Sequence, residues 1–139
     1  MLSKRGAKLF FLLGTGFFGS ILVALTVDSL HQVPALTNAQ NLTPQVAKGK
    51  WLWDKKNCMG CHTILGEGAY YAPELTKVYI NKGPDWIRNM LTDPEAVYPG
   101  ARKMVKYNLT DDEKESLIAF FKWISEINTN GFPAKPVNQ

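Results

Sequence analysis

The two cysteines of this 139-residue chain stand three positions apart, and a histidine follows the second: Cys58-Met59-Gly60-Cys61-His62. A C-x-x-C-H pentad reads as a c-type haem attachment site. Two thiols three positions apart on one helical turn reach both vinyl groups of a single haem. The next side chain then lies under the ring with its imidazole aimed at the iron, the usual axial ligand of such haems. Other readings of the pentad ask for more than the sequence offers. A zinc site needs further Cys or His at ligand spacing, and the one other histidine, His31, lies far upstream. A thioredoxin-like dithiol wants a βαβ context, and no such pattern surrounds the pair; a structural disulfide is the remaining alternative. Cys58 and Cys61 are therefore the expected covalent attachment points of one haem c, and His62 an expected axial ligand.

A second feature splits the chain. From Leu9 to Val27 runs LFFLLGTGFFGSILVALTV, nineteen residues without a charge. At about 1.5 Å per residue such a helix just spans a bilayer core. Gly14, Gly16 and Gly19 are tolerated there, because glycine is common in membrane helices. The run is longer than the apolar region of a secretory signal, and Val33-Pro34-Ala35 is a poor cleavage site, so an uncleaved anchor is expected. Lys4, Arg5 and Lys8 precede the run and place the N-terminus in the cytoplasm by the positive-inside rule. The resulting division is 1–8 cytoplasmic, 9–27 transmembrane, 28–42 a polar linker, and 43–139 an outer domain on the periplasmic side, where c-type haem is attached. The basic balance needs the same division. Of the 16 Lys and Arg, 13 follow the anchor and face 12 Asp and Glu. The outer part is thus near +1, and the basic overall charge is no argument for nucleic-acid binding.

The outer domain reads as all-helical. Thr43 and Pro44 suit the N-cap and first position of a helix carrying Val46, Gly49, Leu52 and Trp53 towards the pentad. Gly49 on that face would let another helix approach closely. Pro84 and Asp85 open a second helix with Trp86, Ile87, Met90 and Leu91 at helical spacing, stopped at Asp93-Pro94. Thr110 and Glu113 form a capping box for a third helix to about Ile127, with Leu117, Phe120, Phe121, Ile124 and Ile127 on one stripe. No stretch alternates convincingly as a strand. About 110 residues have a modest core, and a covalent haem supplies an apolar centre for the three helices to pack on.

The second axial ligand must come from what is left. His31 sits on the linker, Met1 across the membrane and Met59 inside the pentad; Met90 has core spacing and reads as packing. Met104 follows the Pro-Gly turn of Tyr98-Pro99-Gly100-Ala101-Arg102-Lys103, which can present a thioether to the iron. A His62/Met104 pair raises the reduction potential and leaves no open site for substrate, so the domain is expected to carry electrons and not to be catalytic by itself. Arg102 and Lys103 would neutralise a propionate or face an acidic donor, with solvated surface favoured for Lys103. Tyr70, Tyr71, Tyr79, Tyr98 and Tyr107 flank the haem loops and are expected to line the haem crevice or to bond a propionate.

Taken together, Gly49 and Trp53, Cys58 to His62, Pro73-Glu74-Leu75, and Pro99-Gly100 before Met104 resemble the class I cytochromes c. In that family a proline carbonyl after the pentad orients the proximal imidazole, and Pro73 is the match. The run from Cys58 through Thr63-Ile64-Leu65-Gly66-Glu67-Gly68-Ala69-Tyr70-Tyr71-Ala72-Pro73-Glu74-Leu75 is more specific. With Ala101-Arg102-Lys103-Met104 and the ending Phe120-Phe121-Lys122-Trp123 to Phe132-Pro133, it resembles the small subunit of the cytochrome c-dependent nitric oxide reductases. The likeness covers nearly the whole chain; Asn128 stands where those small subunits usually carry Asp.

That resemblance implies a respiratory, denitrification-linked subunit anchored in the bacterial inner membrane beside a large catalytic subunit. The large subunit would hold b haems and non-haem iron and reduce two NO to N2O and water. Its electrons would come through this chain's haem from a soluble periplasmic cytochrome c or a cupredoxin. It also implies a calcium ion at the subunit boundary contacting Gly68 (carbonyl) and Tyr70, although a Gly-Ala-Tyr loop beside a haem is equally compatible with plain packing. Two other functions stay open on the residues alone. One is a free-standing, membrane-tethered cytochrome c shuttle, which a long linker would favour. The other is a ligand-sensing haem domain, against which Met104 counts.

Overall fold

The computed structural model describes residues 3–134 and divides into two units, ending at Leu36 and beginning at Thr37. The first unit is a single helix, α1 (Lys4–Leu36), none of whose residues is buried. Two hydroxyls inside its apolar stretch bond back to the preceding turn, Ser20 to the Gly16 carbonyl and Thr26 to the Leu22 carbonyl, both at 2.8 Å. Such back-bonding satisfies a polar group with no water to hand. α1 is long and apolar enough to cross a membrane.

The helix runs on past Val27, through residues 28–36 of the anticipated linker. The Gln32 amide donates to Asp28 at 2.6 Å one turn back. Pro34 lies inside its last turn, where it lacks the N–H that would bond back to the Leu30 carbonyl. Only Thr37 to Thr43 remain irregular, apart from a 3₁₀ turn over Ala39–Asn41 opened by Asn38 in the left-handed region (φ 54°).

The second unit is built round the crossing of α2 (Pro44–Lys55) and α6 (Asp111–Glu126). Both helices start where the sequence says. The Thr43 hydroxyl accepts from the Val46 N–H with Pro44 following, and Thr110 and Glu113 form the full capping box. α2 buries Val46, Gly49, Leu52 and Trp53; α6 buries Leu117, Phe120, Phe121 and Ile124, while Ile127 is only half-buried. Gly49 is the point of closest approach: a Cβ there would overlap the Ser116 carbonyl oxygen and press on the Phe120 Cβ. Trp53 packs edge-on against Phe121 at 5.8 Å between ring centroids.

α4 (Pro84–Thr92) follows the sequence reading and joins α6 through Arg88, which bonds Glu115 at 2.8 Å and Asp85 at 2.6 Å. Three small elements go beyond it: α3 (Val78–Lys82), α5 (Pro94–Val97), and a hairpin of β1 (Thr63–Ile64) with β2 (Glu67–Gly68). The helices α3 and α5 are too short for periodicity to reveal. The hairpin is set by its turn: Leu65 and Gly66 both have positive φ (54° and 82°), the signature of a tight two-residue reversal. The Lys77 ammonium donates to the Ser125 and Ile127 carbonyls at 2.8 and 3.0 Å. It thereby caps the C-terminus of α6, where cations are favoured.

Candidate haem site

The pentad lies just past the end of α2. Lys56 closes the helix, Asn57 takes the left-handed conformation (φ 54°), and Cys58–Gly60 form a 3₁₀ turn. Within that turn the His62 N–H bonds the Cys58 carbonyl at 2.9 Å and the Cys61 N–H bonds the same oxygen at 3.1 Å. Both cysteines therefore share one turn with the imidazole next in line. Cys61 is exposed and Cys58 half-buried. Burial pushes the Cys58 thiol up to about 11, with Asp54 and Cys61 adding to the effect. A redox dithiol works through a depressed thiol pKa; Cys58 has the opposite, so the dithiol reading loses ground.

The loop after the pentad folds back over it. Ala69 N–H bonds the Met59 carbonyl (2.9 Å), Ala72 N–H the Cys61 carbonyl (2.8 Å) and Leu75 N–H the Thr63 carbonyl (2.9 Å). This brings Pro73 to His62: Nδ1 lies 2.8 Å from the Pro73 carbonyl oxygen. A carbonyl only accepts, so Nδ1 carries the proton and Nε2 keeps its lone pair for a metal. Behind the imidazole stands the buried Trp53, its ring centroid 6.3 Å away. The loop is tied down at its far end, where the Leu65 N–H donates to Thr76 Oγ1 (2.7 Å), the Ser125 hydroxyl to the Thr76 carbonyl (2.9 Å), and the Thr76 N–H to the Glu74 carboxylate (3.0 Å).

The residues present fit a covalent haem c on the chemistry of this donor set. Two thiols share a turn, the imidazole is held in the tautomer that leaves Nε2 free, and Trp53, itself packed on Phe120 and Phe121, backs it. Among the described residues no cluster of three or more His, Cys, Asp or Glu side chains forms an alternative metal centre.

Met104 sits half-buried on the irregular stretch between α5 and α6. Burial raises the Tyr107 phenol above its ordinary pKa, with Cys58 and Cys61 adding to the effect. Met90 is half-buried on α4, as a packing residue should be. Gly68 has a structural reason to be glycine, since φ is 122° and a Cβ would overlap the His62 carbonyl oxygen. Tyr70 and Tyr71 are exposed at 81% and 61%; Tyr98 is exposed as well, whereas Tyr79 and Tyr107 are half-buried. Lys103, expected on solvated surface, pairs with Glu95. Arg102 stacks on Tyr71 and bonds its carbonyl. Nothing in the sequence signals that pairing, because its partners lie 31 residues apart and one of them is a backbone atom.

Comparison with known proteins points the same way as this geometry. The cytochrome c family matches residues 46–125. The chain is 34% identical to the C subunit of nitric oxide reductase from Stutzerimonas stutzeri, over 94% of this chain and 93% of that protein. It is 39% identical to the corresponding protein of Cereibacter sphaeroides (96% and 95%) and 38% to that of Halomonas halodenitrificans (97% and 96%).

Proposed function

The chain belongs to the family of nitric oxide reductase C subunits, built on a cytochrome c domain, and from that premise we propose that it is the electron-input subunit of a membrane-bound nitric oxide reductase. As an electron-transfer cytochrome it needs one covalent haem c, which when bound supplies an iron that takes up and releases a single electron. Cys58 and Cys61 would hold the ring to the 3₁₀ turn. His62, oriented by the Pro73 carbonyl, and Met104 would hold the iron. With both residues engaged, substrate would be kept off it. The His/Met pair favours a high potential, suited to accepting electrons from a soluble cytochrome c or cupredoxin in the periplasm. The partner that consumes them is a large catalytic protein with b haems and non-haem iron, where two NO become N2O and water.

The observation that carries this reading is the His62–Pro73 bond at the foot of a loop held back on the pentad, which sets the orientation of the imidazole. α1 serves as the single-pass anchor, with Lys4, Arg5 and Lys8 on the cytoplasmic side. Seven irregular residues at most, Thr37 to Thr43, link α1 to α2, and Asn38 is already engaged by the Trp123 indole N–H (3.1 Å). So short a link suits a fixed subunit better than a swinging shuttle. Calcium at the Gly68 carbonyl and Tyr70 belongs to the same proposal. Two oxygens are far short of the roughly six to eight that calcium takes, so haem propionates and the partner would complete the site.

The test is purification through a tag on this chain, in mild detergent, followed by a reduced-minus-oxidised spectrum. Co-purifying b-type signals beside the c-type signal, with NO consumption, support the reading. A c-type signal alone, under conditions that preserve other membrane complexes, returns the tethered shuttle.

A further inference from the structure

We propose that Arg102 is a positioning residue that clips the Met104 segment to the loop carrying Pro73, and so sets how firmly the Met104 thioether is held on the iron. The inference rests on Met104 as the second axial ligand. The stretch from Arg102 to Leu109 contains no helix or strand, and such a segment keeps a side chain in place only through contacts made elsewhere. Two of its cations reach back towards the helix just before it: Lys103 pairs with Glu95, and Lys106 lies 3.5 Å from Asp93. These contacts leave the segment fastened to its own approach.

Arg102 reaches across instead. Its Nη2 donates to the Tyr71 carbonyl at 2.7 Å, and the guanidinium lies 4.1 Å over the centroid of the Tyr71 ring. Tyr71 stands two residues before Pro73, whose carbonyl holds His62, and Arg102 stands two residues before Met104. The clip thus joins the two segments that carry Met104 and the Pro73 carbonyl that holds His62. It also uses what is particular to arginine, a flat cation that stacks on a ring while its edge donates to a carbonyl. An ammonium is a point charge that does not combine the two.

The experiment uses the full haem-loaded chain in detergent, in the ferric state, titrated with imidazole as a competitor for the sixth position. Its apparent affinity reads the fraction of molecules in which Met104 has let go. Arg102→Ala binds imidazole about fivefold more tightly, from the loss of one charge-assisted bond and one exposed cation–π contact, and Arg102→Lys falls between it and the parent. Unchanged imidazole affinity in Arg102→Ala overturns the proposal. So does a shifted reduction potential with unchanged affinity, which would make Arg102 a propionate partner. Met104→Ala checks the underlying assignment through the weak far-red absorption of a thioether on ferric haem. Survival of that band removes the ligand assignment and this proposal together. Loss of the band with unaltered affinity in Arg102→Ala removes the proposal alone.

Discussion

Substituting Gly49 by Ala sets two effects of opposite sign against each other. In an ordinary helix the change stabilises by roughly 0.5–1 kcal/mol, because glycine loses more backbone entropy on folding. At this position the new methyl overlaps the Ser116 carbonyl oxygen and crowds the Phe120 Cβ. The first of these is backbone in the middle of α6, so it cannot swing aside as a side-chain tip would. Relief requires α2 and α6 to part by about 1 Å, a gap that forfeits a quarter to a half of the dispersion well for each facing atom pair. The contacts at stake are those of Val46, Leu52 and Trp53 with the buried stripe of α6. Overpacking of this kind costs about 1–3 kcal/mol, and here it exceeds the propensity gain. Gly49→Ala is therefore expected to be net destabilising by about 1–2 kcal/mol. Guanidinium unfolding of the full haem-loaded chain, followed by tryptophan fluorescence, measures it as a lower midpoint with unchanged slope. A midpoint that rises would show that the helices are not in contact at Gly49, and the packing argument would fail with it.

Met104→Ala removes the thioether, so the ferric spectrum should lose its far-red band and the reduction potential should drop; optical redox titration checks both. Lys77→Met leaves the Ser125 and Ile127 carbonyls without their cationic donor and is expected to cost about 1.5–3 kcal/mol by the same unfolding assay. Thr110→Ala breaks the capping box and should cost about 1 kcal/mol. The other half of the box bears on the acid limb of the stability curve. The Thr110 backbone N–H, bonded to the Glu113 carboxylate, holds that group below the usual glutamate range. A depressed pKa contributes stability above the unfolded-state value that is lost as pH falls through the folded one. Glu113→Gln should accordingly flatten the decline of stability just below the ordinary glutamate range; an unaltered acid limb would remove Glu113 from the account.

Helix starts were legible because their signals are local. Thr43-Pro44 and Thr110 with Glu113 are complete cap motifs, and each opens its helix at the residue indicated. The stripe on α6 was legible because sixteen residues give periodicity room to show, whereas the five residues of α3 and four of α5 do not. The continuation of α1 past Val27 was hidden for another reason. Polarity marks the edge of a membrane span but does not stop a helix, and Asp28 and Gln32 favour its continuation. At the site the pentad declared itself through residue identity. Its surroundings depend on backbone atoms distant in sequence: the Pro73 carbonyl for His62, the Tyr71 carbonyl for Arg102, and the His62 carbonyl that makes position 68 a glycine. No side-chain pattern encodes a carbonyl: the Pro73 contact was reachable only through the family resemblance, and the other two become visible only once the loop is folded.

The measurement closest to the central claim is rapid mixing of NO with the fully reduced complex purified through this chain, monitored at the c-haem band. If this chain is the route by which electrons enter, its haem oxidises within the enzyme's turnover time in the complex. It stays reduced when the haem-loaded chain is mixed with NO alone. A c haem that remains reduced while the complex consumes NO would contradict the assignment.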